Sequence, residues 1–393
     1  MQTFWKRESV LWLTYLLVAL VVSVHTVFKG PNAYGYTSYE NYVIFKNSFS
    51  HLTQGLNPYA PYPAVQWDLF KYSPAFSLSM APFSVLPDVV GLALWNLVNT
   101  IPLLWGVLRL PVLAPAQRYF VAWFVLPELI VSLQNSQSNG LTVALVLWAW
   151  IALERKSPVQ GAWWSVAGGF LKIFGIFAAV PALIYPRQAR FALATVAWTA
   201  LMVAVPLVVV SPEQLWQVYG WWIELLRSDH NASVGLSVMG WLQTWFGLIA
   251  PKTAIMLIGL GLLLACTWSV FRRGRAAPDG LPPETDRIRL WSALLLWMVV
   301  FNHKAESPTF VIALCGVALW YQSLQKPVIW ERILLWTAFV LASVSPTDIF
   351  PRALREALVQ PYVLKAVPCI AIWAVLTATL LRSKNQQQAF DDK

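Results

Sequence analysis

Apolar runs recur from one end of this chain to the other, and no other feature restricts the fold as much. They fall at 11–28, 76–86, 89–108, 120–133, 141–153, 162–185, 191–210, 254–270, 290–301, 310–321, 333–343 and 366–381. A helix crossing a hydrocarbon core needs about 20 such residues. No water is available there for backbone groups, so these runs must be helical. The alternating pattern of a membrane β-barrel strand is absent. Only 12% of the 393 residues are charged, against about a quarter in soluble domains. The expectation is an all-α, polytopic transmembrane protein: one integral membrane domain over 1–393, with about eleven or twelve membrane helices.

The formal net charge is +10, but the cations form no nucleic-acid-binding patch. They sit in short clusters between apolar runs: Arg155-Lys156, Arg187 and Arg190, Arg272-Arg273-Arg275, Arg382 and Lys384. Cytoplasmic loops collect such charge, so the basicity needs no polyanion. With Lys6 and Arg7 before the first run, the same rule puts residues 29–74 on the opposite side, as a first extracytoplasmic loop. It also puts both termini in the cytoplasm of a multi-pass plasma (inner) membrane protein. Run 11–28 lacks a small-residue cleavage site and reads as a retained helix; 384–393 reads as a disordered cytoplasmic tail. The three cysteines all lie in apolar runs and suit small core hydrophobes.

Loop 29–74 is polar and tyrosine-rich. Thr37-Ser38-Tyr39-Glu40 has the capping-box pattern, predicting a helix from about Tyr39. Phe45, Phe49 and Leu52 then form an apolar stripe, suiting an amphipathic helix on the membrane surface, and Gly55 would end it. Residues 212–250 form a second outer region. If every basic cluster is cytoplasmic, 72–108 must cross an odd number of times, so one of its two runs is short or broken. Residues 157–186 must turn back near Gly168–Lys172, as broken helices do where backbone lines a cavity.

Candidate chemistry concentrates in the outer loops. Glu40 is placed to take a proton from a substrate hydroxyl, or serves only in the capping box; Asp68 is the reserve base, or half of a surface ion pair. In the loop Asn302-His303-Lys304-Ala305-Glu306-Ser307-Pro308, His303 and Lys304 suit a phosphate. Glu306, at one-turn spacing, would orient His303. Lys172, inside an apolar run, needs a partner: a lipid-linked phosphate or Glu128. Arg352 suits a phosphate fork, or pairs with Asp348. Asn135 and Gln137, in the polar hinge 134–140, join Asn41, Ser237 and Glu306 as candidate sugar or acceptor ligands. Four histidines without ligand spacing give no metal motif, and Walker, HExxH and GxSxG signatures are missing.

The elements Gly55-Leu56-Asn57-Pro58-Tyr59 and Phe70-Lys71-Tyr72-Ser73-Pro74, then Leu86-Pro87 and Trp95-Asn96, resemble glycosyltransferase family 87. So do the lysine-bearing break at Lys172, the stretch 235–242 (GLSVMGWL) and the histidine-bearing loop 302–308. The resemblance implies a GT-C-like enzyme that moves a hexose, mannose by similarity, from a polyprenyl-phosphate donor to a glycolipid or glycan acceptor on the outer face. The family's acidic residue in the first outer loop falls by position on Glu40. The family commonly carries Asp there, and the spacing to the following glycine also reaches Asn41. Its phosphate-contacting histidine falls on His303. The implied chemistry is a single inverting displacement that requires no cofactor, with a divalent metal optional. A flippase or transporter of lipid-linked sugars, or a polysaccharide polymerase or ligase, would use similar materials. The first should show repeat symmetry and midplane charges, which the sequence does not.

Overall fold

The computed structural model describes residues 7–32, 34–229, 233–278 and 280–382; the expected tail 384–393 lies outside them. The described residues are helical throughout, apart from loops and one isolated bridge between Pro31 and Thr37. The elements are α1 (Glu8–Phe28), α2 (Glu40–Thr53), α3 (Pro74–Ser79), α4 (Ala81–Ser84), α5 (Asp88–Arg109), α6 (Pro115–Gln134), α7 (Asn139–Glu154) and α8 (Pro158–Leu171). After α8 come 3₁₀ turns at Ile173–Ala179 and Pro181–Ile184, then α9 (Gln188–Ala204), α10 (Pro212–Asp229), α11 (Val238–Phe246) and α12 (Lys252–Arg275). The last are α13 (Glu284–Val300), α14 (Phe310–Gln322), α15 (Ile329–Phe339), the single turn α16 (Arg352–Leu354) and α17 (Val367–Leu381).

Among the described residues, five stretches have the length and hydropathy to cross a membrane: α1, α5, α6, α12 and Gln188–Val208, which carries α9. Shorter apolar helices accompany them at Asn139–Glu154, Ile173–Ile184, Ser307–Gln322 and Val367–Leu381. Burial separates two kinds of apolar helix. α14, and α13 beyond its charged start at 284–289, are apolar all round and almost wholly buried, and they form the middle of the bundle. α9 buries only Phe191 and turns Leu193 and Val196 outward. An apolar helix with such an outer face is stable only against lipid. The molecule is therefore a polytopic membrane protein.

The bundle has two distinct ends. At one, Arg187 donates to the Lys156 carbonyl, Arg287 pairs with Glu154 (2.9 Å), and Arg273 donates to the Leu380 carbonyl. The basic clusters thus meet. At the other, Asn41 donates to the Asn135 carbonyl, Tyr72 bonds Ser138, Asn139 donates to the Pro308 carbonyl, and Leu236 N–H reaches Ala305 O. The polar loops meet there.

Of the two runs in 72–108, 76–86 is the pair of short helices α3 and α4, and α5 is the one that runs the full length. The chain also turns at Lys172, whose extended backbone (φ −140°, ψ 129°) ends α8. The following 3₁₀ segment folds back on α8 with Gly168 against Gly175, an approach that leaves no room for a Cβ on Gly175. Gly55, at φ +74°, follows the end of α2 as expected. The capping box does not form: Ser38 Oγ donates to the Gly30 carbonyl, and Tyr39 caps α2 with no side-chain bond.

Candidate active site

At the polar end lies a cavity of about 460 Å³, walled by loop 68–73, α2, the start of α7, the break at Lys172, α10, α12 and loop 302–309. Its head is polar, with Asp68, Lys71, Gln137, Lys172, His303 and Lys304. Its body is apolar, with Phe170, Ile173, Phe174, Phe177, Met256 and Met298. An amphiphile with an anionic head matches that division.

The acidic wall comes from the first loop. Asp68 lines the cavity; its carboxylate accepts the Leu69 N–H at 2.7 Å and pairs with Lys71 at 3.0 Å. Glu40 is not among the lining residues. One of its oxygens accepts the Trp67 N–H and the other the Asn32 amide at 3.4 Å. Burial pushes the Glu40 carboxyl above the usual carboxylate range; the two hydrogen bonds oppose this, and the nearby Asp68 charge adds to it. Asn41, next along α2, does line the cavity.

Tyr72 roofs the site from an aromatic cluster with Phe45, Phe70 and Phe76. Its hydroxyl lies 2.9 Å from Ser138 Oγ. Burial raises the phenol's pKa, the Ser138 bond opposes this, and the Glu306 carboxylate adds to it. The Lys172 ammonium donates to Asn139 Oδ1 at 2.6 Å and lies 5.8 Å from the centre of the Tyr72 ring.

The basic wall is held from three sides. Gly235, at φ +60°, lies against the His303 carbonyl, where a Cβ would come within 2.7 Å. Asn139 Nδ2 donates to Pro308 O (2.9 Å), and Lys365 donates to Ser307 Oγ (2.8 Å). Lys365 also pairs with Glu128 at 2.7 Å, both side chains buried.

The structure therefore brings Asp68, Asn41, Gln137, Lys172, His303, Lys304 and Glu306 to one cavity and leaves other candidates outside it. Ser237 Oγ caps α11, accepting from Met239 and Gly240 N–H. Asn135 contributes its carbonyl to Asn41, while its amide donates to Val131 O. Arg352 is exposed and pairs with Glu356 at 2.7 Å. Glu128 pairs with Lys365 rather than Lys172. Glu306 has extended backbone (φ −108°, ψ 169°), so the helical one-turn spacing from His303 does not exist. Tyr72, inside the Phe70–Pro74 element, also lines the cavity, although the sequence did not single it out. Lys365 was also missed, although a lone lysine entering an apolar run is itself a signal.

Fold and site together define a polytopic helical membrane protein with a polar-headed, apolar-bodied cavity at one end of its bundle. The model of glycosyltransferase family 87 matches residues 70–301, more than half of the chain. The chain belongs to that family and is a glycosyltransferase. No curated protein matches it. The matched stretch contains Lys71, Tyr72 and Lys172; Asp68 and His303 fall just beyond its two ends.

Proposed function

We propose that the protein is an inverting hexosyltransferase that takes mannose from a polyprenyl-phosphate donor and delivers it to a lipid or glycan acceptor on the extracytoplasmic face. One observation carries this reading: a single cavity with an apolar body gathers the Asp68 carboxylate with Lys71, Lys172, His303 and Lys304. The prenyl chain would lie along Phe170, Phe174 and Met256, with the phosphate near Lys172, His303 and Lys304.

In the reaction, the acceptor oxygen bonds to the anomeric carbon from the face opposite the phosphate. The bond from that carbon to the phosphate oxygen breaks, and its electron pair leaves with the polyprenyl phosphate. The acceptor proton passes to a carboxylate, and Asp68 is the one we assign, because Glu40 is turned toward the Trp67 N–H and Asn41 has no basic atom. Fixed cations beside the departing phosphate stabilise charge where it develops. The leaving group is already a stable anion, so no general acid is needed. The test is transfer by proteoliposomes supplied with radiolabelled polyprenyl-phosphate mannose and candidate acceptors. Labelled product that disappears in Asp68→Asn supports the proposal; movement of intact donor across the bilayer without transfer would replace it with a flippase.

A further inference from the structure

Lys172 differs from Lys46, Lys71 and Lys365 in what holds it. Lys46 pairs with Asp88 at 2.5 Å, Lys71 with Asp68 at 3.0 Å and Lys365 with Glu128 at 2.7 Å, so each of those charges meets a carboxylate. The Lys172 ammonium instead donates to Asn139 Oδ1 at 2.6 Å and lies 5.8 Å from the centre of the Tyr72 ring. Both partners are neutral. Among the described residues no carboxylate lies within ion-pair distance of Lys172, and Glu306 acts on it only at longer range. An ammonium carries three N–H donors. One goes to Asn139, no acceptor among the described residues takes the other two, and Lys172 lines the main cavity.

Asn139 is held in one orientation. It opens α7 and is fully buried. A lysine can only donate and a carbonyl can only accept, so two partners fix the amide: Oδ1 faces Lys172, and Nδ2 donates to the Pro308 carbonyl at 2.9 Å. The start of α7 is in turn set against α5. Leu141 N–H donates to Asn99 Oδ1 at 3.0 Å, and a Cβ on Gly140 would meet the Asn99 carbonyl at 2.5 Å. One buried amide thus ties the break at Lys172 to the His303 loop without adding charge. A carboxylate at this place would cancel the ammonium and compete with any anion approaching it. An amide fixes the lysine and leaves its whole charge to act in a site of low dielectric.

We propose that Asn139 is a positioning residue, which holds Lys172 as an un-neutralised ammonium for the phosphate of the polyprenyl donor. This role rests on the donor assignment above, and the test separates the two. The full chain, purified in detergent, is given polyprenyl phosphate or the uncharged polyprenol of equal length, and retention is read by native mass spectrometry. Wild type should retain the phosphate about tenfold more strongly than the alcohol, the scale of one charge-assisted contact. Asn139→Asp keeps a bond to Lys172 but cancels its charge, and should lose most of that preference, as Lys172→Met should. Asn139→Leu gives up both bonds but leaves the charge, and should lose less. A merely structural asparagine predicts the reverse order, because both variants lose the Pro308 bond and only aspartate keeps the one to Lys172. Polyprenol retention, which needs the cavity but no charge, should be the same in all of them. Should Asn139→Leu lose polyprenol too, the match between Asn139→Asp and Lys172→Met decides. A preference that survives Asn139→Asp, or that leucine erases more fully than aspartate with polyprenol still bound, would overturn the role and leave the donor assignment standing. Equal retention of phosphate and alcohol by wild type would overturn the donor assignment and this role with it.

Discussion

The carboxylate of Glu40 accepts the backbone N–H of Trp67, one residue before the Asp68 carboxylate that borders the cavity. The two acids thus have different surroundings: one fastens loop 67–68 to α2, the other faces the space where substrates would meet.

Glutamine at position 40 keeps an acceptor oxygen for Trp67, whereas alanine removes it. Glu40→Gln should therefore retain transfer within a few-fold, and Glu40→Ala should lose much more. Asp68→Asn should fall by about 10²-fold or more, the usual scale for a lost general base. Initial rates in proteoliposomes decide the matter. An inactive Glu40→Gln beside an active Asp68→Asn would make Glu40 the base.

Burial holds the Glu40 carboxyl above the usual carboxylate range, so the folded state binds its proton more tightly than the unfolded chain does. Stability from this group is fully present below the unfolded value and is lost as pH rises through the raised one. The melting temperature of wild type should fall across that window, and that of Glu40→Gln should fall less. Parallel curves for the two proteins would contradict this.

A Cβ at Gly235 would meet the His303 carbonyl at 2.7 Å and the Ala305 nitrogen at 2.9 Å. At Gly55, also left-handed at φ +74°, nothing lies within 4 Å. Gly55→Ala should cost only its backbone strain, about 1 kcal/mol, with activity kept. Gly235→Ala should add displacement of the His303 loop and lose activity. Comparing melting temperature with turnover for the two variants tests the difference.

Lys365 and Glu128 are a buried pair, and removing one partner strands the other. Lys365→Met should destabilise by about 3–5 kcal/mol, and Glu128→Leu added to it should recover much of that loss. Unfolding in mixed micelles provides the measurement. No recovery in the double variant would show that the pair does more than neutralise itself.

What local chemistry controls was readable along the chain. Hydropathy and length set the apolar runs, because every backbone group in lipid must bond within its own helix. Gly55 marked the end of α2, and the charge parity of the loops called for one short or broken run within 72–108 and a turn near Gly168–Lys172. Direction and partner were a different matter. Glu40 and Asn41 are adjacent on one helix, so their side chains point about 100° apart. Which of them faces the cavity depends on how Tyr42, Phe45 and Leu52 seat α2 against α3, α4 and α5. Asp68 lies in irregular backbone, where no periodicity announces a face. Lys172 meets Asn139, and Lys365 meets Glu128, across 33 and 237 residues of chain. Hydropathy carries no record of such pairings; only the packed bundle chooses them, since each buried charge settles on whichever polar group the helices bring within reach.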